Sequence, residues 1–273
     1  MKIWLDGTLQ DLEAARVSVF DHGLTVGDGI FETVKSVDGK PFALTRHLDR
    51  LARSARGLGL PEPDLDEVRR ACDAVIEANP MPLGRLRITY TGGLSPLGSD
   101  RGEHGPTLVV ALGEAARRPD STATVTVPWT RNERGALTGL KTTSYAENVV
   151  ALARAREQGA SEALFANTVG QLCEGTGSNV FVVLDGEIHT PPVASGCLAG
   201  ITRALTVEWT GAKETDLPLD VLERADEIFL TSTLRDVQGV QRVDARELPG
   251  APGPVTAKAM RVFDERAADD LDP

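Results

Sequence analysis

The sequence of 273 residues predicts an α+β protein with a smaller N-terminal block and a larger, strand-rich one after it. Three features carry that prediction. Apolar residues alternate in short runs broken by Asp-Gly turns, as in "KIWLDG" and "FETVKSVDGKPFAL", which is the pattern of half-buried strands joined in hairpins. Two segments of the first block instead space their apolar residues at helical intervals. The stretch "EAARRPDST", Glu114 to Thr122, lacks apolar residues to pack and contains a proline, so it reads as a linker between domains at 1–113 and 123–273.

The elements follow in order. After the first strand and the hairpin, "TRHLDRLARSARGLGL" places Leu48, Leu51 and Leu58 on one helical face, and Gly57 and Gly59 close it. "LDEVRRACDAVIEA" gives a second amphipathic helix, and "GRLRITYTGG" and "PTLVVALGE" return to strands. In the second block "ATVTVPW" is a strand. "SYAENVVALARARE" is a helix whose Ser144 and Glu147 have the spacing of a capping box, whose Val149, Val150 and Leu152 begin an apolar stripe, and which Gly159 ends. Strands then dominate through "EALFANTVGQLCEGTGSNVFVVLDGEIHT" and "ADEIFLTSTLRDVQGVQRV", with the helix "GITRALTVEWTG" between them.

Composition narrows the function. A net charge of -11 opposes nucleic acid or an anionic membrane as partner. The longest apolar run, "NVFVVL", is too short to span a bilayer, and the N-terminus meets acidic residues before any core of signal-peptide length, so the expected location is the cytoplasm. Cys72, Cys173 and Cys197 are odd in number and lack metal-ligand spacing, which makes them core fillers and leaves no metal site expected.

A few residues each have an ordinary structural reading taken singly, as a solvated loop lysine, an exposed turn glutamate or a hydroxyl-rich turn, but point to a ligand when taken together. Lys141 is one of six lysines and sits at the mouth of a helix, the end where the helix dipole disfavours a cation. Gly200 precedes the helix of "CLAGITRALTV", so the N–H groups of Ile201 and Thr202 are free to meet an anion. The hydroxyls of Thr231, Ser232 and Thr233 and the guanidinium of Arg46 suit the same task. Glu174 lies between an apolar strand and a glycine-rich turn, where an inward carboxylate needs a cationic partner. A lysine, a glutamate and three phosphate-type contacts describe one ligand.

"GDGIFET", "RHLDRL", "LKTTSYAEN", "EGTGSNVF", "CLAGITR" and "EIFLTST" occur in an order and spacing that resembles the class IV aminotransferases, the fold-type-IV pyridoxal-phosphate enzymes. The resemblance runs nearly end to end. It implies a small N-terminal α+β domain, a larger C-terminal pseudo-barrel domain, pyridoxal 5'-phosphate as cofactor and a homodimer. By motif, Lys141 resembles the Schiff-base lysine, Glu174 the partner of the pyridine nitrogen, Tyr145 the donor to the phenolic oxygen and Leu198 the residue packed on the ring. Arg46, Ile201, Thr202 and Thr233 resemble the phosphate ligands and Asn179 the brace of the Glu174 strand. Phe31, Arg101 and Arg235 are the expected substrate contacts.

The cofactor does not choose the reaction, because substrate groups outside its ring decide which bond breaks. The string as a whole most resembles aminodeoxychorismate lyase, which makes 4-aminobenzoate and pyruvate, and this reading stands first. A transaminase for branched-chain or D-amino acids, or for an amine, stands second, and a non-catalytic pyridoxal-phosphate-binding protein third. The loop "TYTGGLSPLGSDRGEHG" lacks the Arg-x-His carboxylate trap that D-amino-acid aminotransferases resemble one another in, since Arg101 and His104 are differently spaced.

Overall fold

A computed structural model describes all residues from Met1 to Pro273. Contacts divide the chain into two units. The first comprises 1–116, 140–145 and 271–273, and the second 117–139 and 146–270. The Leu140–Tyr145 segment, expected in the C-terminal domain, therefore packs with the N-terminal residues.

The first unit holds β1 (Lys2–Leu5), β2 (Thr8–Asp11), the short α1 (His22–Thr25), β3 (Gly29–Val37), β4 (Lys40–Pro41), α2 (Leu44–Leu58), α3 (Leu65–Ala78), β5 (Leu83–Thr91) and β6 (Thr107–Glu114). Its six strands run β2-β1-β6-β5-β3-β4, and every pairing is antiparallel. Alternation along β3 sorts its side chains. Ile30, Glu32, Val34 and Ser36 are fully buried, and Ile30 and Val34 share a core with Leu48 and Leu51 of α2 and Val68 and Cys72 of α3. Gly59 ends α2 in the left-handed conformation, as the glycines of that stretch predict. The start of α2 is less ordinary: Ala43 offers no side-chain cap, and the amide of Thr45 donates instead to Asp272 Oδ1 at 2.8 Å.

The second unit holds β7 (Ser121–Arg131), α4 (Ala146–Glu157), β8 (Glu162–Asn167), β9 (Leu172–Gly175), β10 (Asn179–Leu184), β11 (Glu187–Thr190), a 3₁₀ turn at Val193–Ser195, α5 (Ile201–Thr210), β12 (Lys213–Glu214), α6 (Val221–Arg224), β13 (Glu227–Ser232), β14 (Asp236–Val243), β15 (Arg246–Glu247) and α7 (Pro254–Asp269). The strands run β12-β11-β10-β13-β14-β7-β8-β9, with β15 beside β14. This sheet curls so that β9, at one end of the path, returns to contact β10. Phe181 and Phe229 stand opposite each other on β10 and β13 and stack at 4.7 Å, a contact worth about 1 kcal/mol beyond its burial. The three cysteines are free and buried. No helix is long and apolar enough to cross a membrane.

The structure corrects the reading of α4. Its buried residues are Asn148, Ala151 and Ala155, while Val149 and Val150 are exposed, so small side chains form the face that packs on the sheet. Ser144 does not cap this helix. Its hydroxyl donates to the carbonyl of Gly27 at 3.1 Å, and Glu147 accepts from Arg131 Nη1 at 2.7 Å.

Candidate active site

Lys141 is held by its backbone as an added edge on β3. The carbonyl of Lys141 accepts the amide of Phe31 at 2.9 Å, Thr142 bridges to Ile30, and the amide of Thr143 donates to the carbonyl of Gly29 at 2.8 Å. On its other side the Lys141 amide donates to Ser54 Oγ of α2 at 3.2 Å. With the backbone fixed, the side chain extends over the β3 surface opposite the helices. Its Nζ lies 4.1 Å from the Phe31 ring and 3.5 Å from the Tyr145 hydroxyl, and the two rings meet edge to face at 5.0 Å.

A residue that the sequence reading passed over joins this group. Arg87 on β5 stands opposite Thr33, and its Cζ lies 3.3 Å above the Phe31 ring. It has no carboxylate partner, and its one side-chain hydrogen bond, to Thr33 Oγ1, is long at 3.5 Å. The surrounding protein lowers the guanidinium to a pKa of about 10 by desolvation, so it remains charged near neutrality. Two basic side chains thus share one aromatic ring.

Arg46 bonds the last residue of the sequence. Its Nε donates to the carbonyl of Pro273 at 2.7 Å. One helical turn on, Arg50 is buried and its Nε and Nη2 reach Glu32 at 2.8 and 2.7 Å, while His47 Nδ1 meets Glu32 at 2.7 Å. Burial pushes the Glu32 carboxyl up, but the charge and hydrogen bonds of Arg50, with the bond from His47, hold it well below the usual carboxylate range. Burial is the largest influence on His47 and lowers its pKa, and the charges of Arg50 and Lys141 lower it further against the opposing pull of Glu32. His47 is therefore neutral near pH 7 and donates through Nδ1. The signal for this cluster is the pair of polar residues, His47 and Arg50, on the face of α2 that also carries Leu44, Leu48 and Leu51.

The second unit assembles the other candidates. Glu174 Oε2 accepts the amide of Leu198 at 2.9 Å, and Oε1 lies 3.2 Å from Arg131 Nε in an ion pair not aligned as a hydrogen bond. Asn179 Nδ2 donates to the carbonyl of Leu198 at 2.9 Å, so Glu174 and Asn179 grip Leu198 from both sides. Two residues later Gly200 begins α5 without any side-chain cap, leaving the amides of Ile201 and Thr202 at the positive end of the helix. A Cβ at Gly200 would lie 2.1 Å from Asn179 Oδ1, so only glycine fits. Thr231, paired with Asn179 across β10 and β13, is buried with its hydroxyl lacking any partner, while Thr233 follows in the turn closed by the Arg235 amide on the Ser232 carbonyl.

Two of the expected substrate contacts, Arg101 and Arg235, have partners within the protein. Arg101 makes a two-pronged pair with Asp28, Nε to Oδ2 at 2.7 Å and Nη2 to Oδ1 at 2.6 Å, and also bonds the carbonyls of Leu58 and Gly59. It fastens the loop between β5 and β6. Arg235 is largely buried, bonded to Gln238 and Ser161 and 3.6 Å from Glu162. Both guanidinium groups are already engaged by the protein's own side chains and carbonyls.

The Arg101 loop carries a pH dependence. Both ring nitrogens of His22 face acceptors, Asp28 Oδ2 at 3.0 Å and the carbonyl of Gly98 at 2.9 Å, so the imidazolium fits best. The hydrogen bond to Asp28 raises His22 above 6.5, and the bond from Arg101 lowers Asp28 below 3.8. The raised His22 contributes fully below its unfolded value of 6.5 and loses its contribution as pH rises through the folded value. The lowered Asp28 contributes above its unfolded 3.8 and loses its contribution as pH falls through its folded value. Amide exchange in residues 94–105 should therefore be slowest, after correction for intrinsic rates, between the unfolded values 3.8 and 6.5. A profile that is flat across pH 5 to 9 would contradict this.

Comparison with known proteins bears directly on this geometry. The family model for amino-transferase class IV matches residues 29–243. The chain belongs to the class IV aminotransferases. These enzymes use pyridoxal phosphate. The bifunctional aminodeoxychorismate lyase / D-amino acid transaminase of Mycobacterium tuberculosis is 31% identical, over 92% of this chain and 94% of that protein. The crystal structure of a branched-chain aminotransferase from Thermoproteus uzoniensis with norvaline superimposes with a TM-score of 0.90 at 28% identity, covering 97% of this chain and 94% of that one. A hypothetical aminotransferase from Mycobacterium tuberculosis, in its PLP-bound form, superimposes with a TM-score of 0.87 at 27% identity, covering 99% and 100%. In this class IV aminotransferase each unit carries groups of a kind that suits the cofactor: the first a lysine amine beside a phenol, the second a carboxylate paired with an arginine and an amide, and an uncapped helix start and a buried hydroxyl without a partner.

Proposed function

We propose that the chain is a transaminase for small α-amino acids. The observation that supports this best is Arg87, a cation without a carboxylate partner on the same aromatic ring as the Lys141 amine. An α-amino acid offers a carboxylate next to its amine. The two arginines expected to meet substrate, Arg101 and Arg235, are bound to Asp28 and near Glu162 instead.

When bound, pyridoxal phosphate supplies an aldehyde to the amine and a ring that draws off the negative charge left by the departing α-proton. Lys141 Nζ, as the neutral amine, would take the proton from the substrate α-carbon and, as acid, deliver it to the carbon of the cofactor's aldehyde group, so that water can then release the keto acid. Tyr145 orients that amine through its hydroxyl and shields it through its ring. Glu174, fixed by the Leu198 amide and Arg131, holds a proton on the ring nitrogen. The amides of Ile201 and Thr202 with Thr233 bind phosphate, Leu198 and Asn179 shape the ring's seat, and Arg50 replaces Arg46 as the guanidinium ligand. Arg50 suits that role because it shares its helix face with Ser54, which holds the Lys141 amide. Phe31 carries Arg87.

Aminodeoxychorismate lyase is the second reading. Its support is the similarity to the bifunctional lyase and transaminase, together with Arg85, which lies two residues before Arg87 on the same face of β5, roughly 7 Å away along the strand. A dicarboxylate substrate needs two such cations. The holoenzyme mixed with amino acids of both hands should release a keto acid, and Arg87→Leu should raise KM roughly 30-fold or more while changing kcat less. Release of 4-aminobenzoate and pyruvate from aminodeoxychorismate, without keto acid from any amino acid, overturns the first reading in favour of the second.

We also propose a homodimer. Val19, Phe20, Leu24 and Leu97 are 71%, 45%, 69% and 74% exposed around α1 and the loop that follows β5, an apolar surface of the kind that partners cover. Sedimentation should give twice the chain mass of 29.1 kDa, and a monomer at micromolar concentration would refute it.

A further inference from the structure

The turn Gly175–Ser178 joins β9 to β10 and carries Glu174 before it and Asn179 after it. Those two side chains grip the amide and the carbonyl of one residue, Leu198, so the separation the turn imposes sets where both carboxylate and amide stand. The turn's own backbone contributes the bond from the Gly175 amide to the Ser178 carbonyl at 2.8 Å. The remainder comes from a buried carboxylate on β8. Glu162 Oε1 accepts the amide of Thr176 at 2.9 Å and also its hydroxyl, and Oε2 accepts Ser178 Oγ at 2.8 Å. Asn148 Nδ2 of α4 donates to the Thr176 carbonyl from the other side. A Cβ at Gly175 would lie 2.6 Å from Ser178 Oγ and 3.0 Å from the Glu162 carboxyl carbon, so the turn is closed around this carboxylate.

Glu162 is 2% exposed, and Arg235 at 3.6 Å is the cation that offsets it. Arg235 is itself fixed by Ser161 and Gln238. A buried charge pair is a poor source of net stability, since desolvation opposes the attraction, whereas a carboxylate with several fixed donors holds a backbone turn in one geometry. We propose that Glu162, with Arg235 behind it, is a positioning residue that aims Glu174 and Asn179 by fixing the turn between them. The inference rests on the reading of Glu174 as partner of the cofactor ring.

The test compares Glu162→Gln, Ser178→Ala, Glu174→Gln and the double variant Glu162→Gln/Glu174→Gln as holoenzymes. Each is followed by the pH midpoint of the bound cofactor's visible absorbance, by titration of the apo-protein with pyridoxal phosphate, and by thermal melting. Glu162→Gln should weaken pyridoxal phosphate about tenfold, as loss of an outer partner does at other sites, and should move the absorbance midpoint in the direction of Glu174→Gln but less far. Ser178→Ala, which deletes one donor to Glu162, should move it in the same direction with little change in melting. In the Glu174→Gln background Glu162→Gln should add no further shift. An unmoved midpoint in both Glu162→Gln and Ser178→Ala beside a moved one in Glu174→Gln overturns the positioning role, even if melting falls. An additive shift in the double variant overturns it too. If Glu174→Gln itself leaves the midpoint unmoved, the reading of Glu174 fails and this inference with it.

Discussion

Lys141→Ala folds normally, melts within a few degrees of the wild type and loses turnover by a factor on the order of 10⁴ or more. Folding survives because the side chain does not hold the segment. The bonds that place it run through the Lys141 carbonyl and amide to Phe31 and Ser54, and an alanine keeps both. Turnover should not survive, because Nζ, 3.5 Å from the Tyr145 hydroxyl, is the amine proposed to carry a proton from the substrate carbon. The proposed covalent link to cofactor would go with it. Borohydride reduction followed by peptide mapping should tag the wild-type peptide at Lys141 and nothing in the variant. A tag on another lysine, or turnover within tenfold of wild type, would falsify the assignment.

The same segment shows how far the residues could be read in advance. Lys141 stood out because a cation at a helix entrance has no stabilising role, and the structure shows it held by β-type backbone bonds rather than by the helix. Strand alternation and glycine punctuation are local properties, so β3, α2 and β5 were legible, as was the glycine before α5. Partner choice among arginines was not. Arg46 and Arg50 lie in the same short motif, and only the fold turns one toward Pro273 and the other toward Glu32. Arg101 finds Asp28 at a separation of 73 residues, and Arg235 finds Ser161 at 74, contacts that no local pattern encodes. The face of α4 misled for a related reason. Its alanines pack where close approach of the backbone is needed, so the larger valines point outward.

Glu32→Ala should lower stability by about 3–5 kcal/mol, the largest loss expected from any single replacement in this cluster, because it leaves the Arg50 guanidinium buried without its carboxylate. The cause is the uncompensated charge and not the value of the pair. Replacing all three members with apolar residues of similar volume, Glu32→Leu, His47→Leu and Arg50→Met, should come out near neutral in urea unfolding. The triple variant would nonetheless bind pyridoxal phosphate weakly, since the proposed phosphate guanidinium is gone. Stability and cofactor affinity thus separate within one cluster. The acid limb supplies an independent check. A depressed carboxylate contributes its stability above the unfolded value of 4.5 and loses it only as pH falls through the lower folded value, so the wild type should lose stability with acid where the triple variant, lacking that carboxylate, loses less. Equal acid limbs in the two proteins, or a Glu32→Ala variant as stable as the wild type, would mean that Glu32 is not ionised in the fold and that Arg50 has its counter-charge elsewhere.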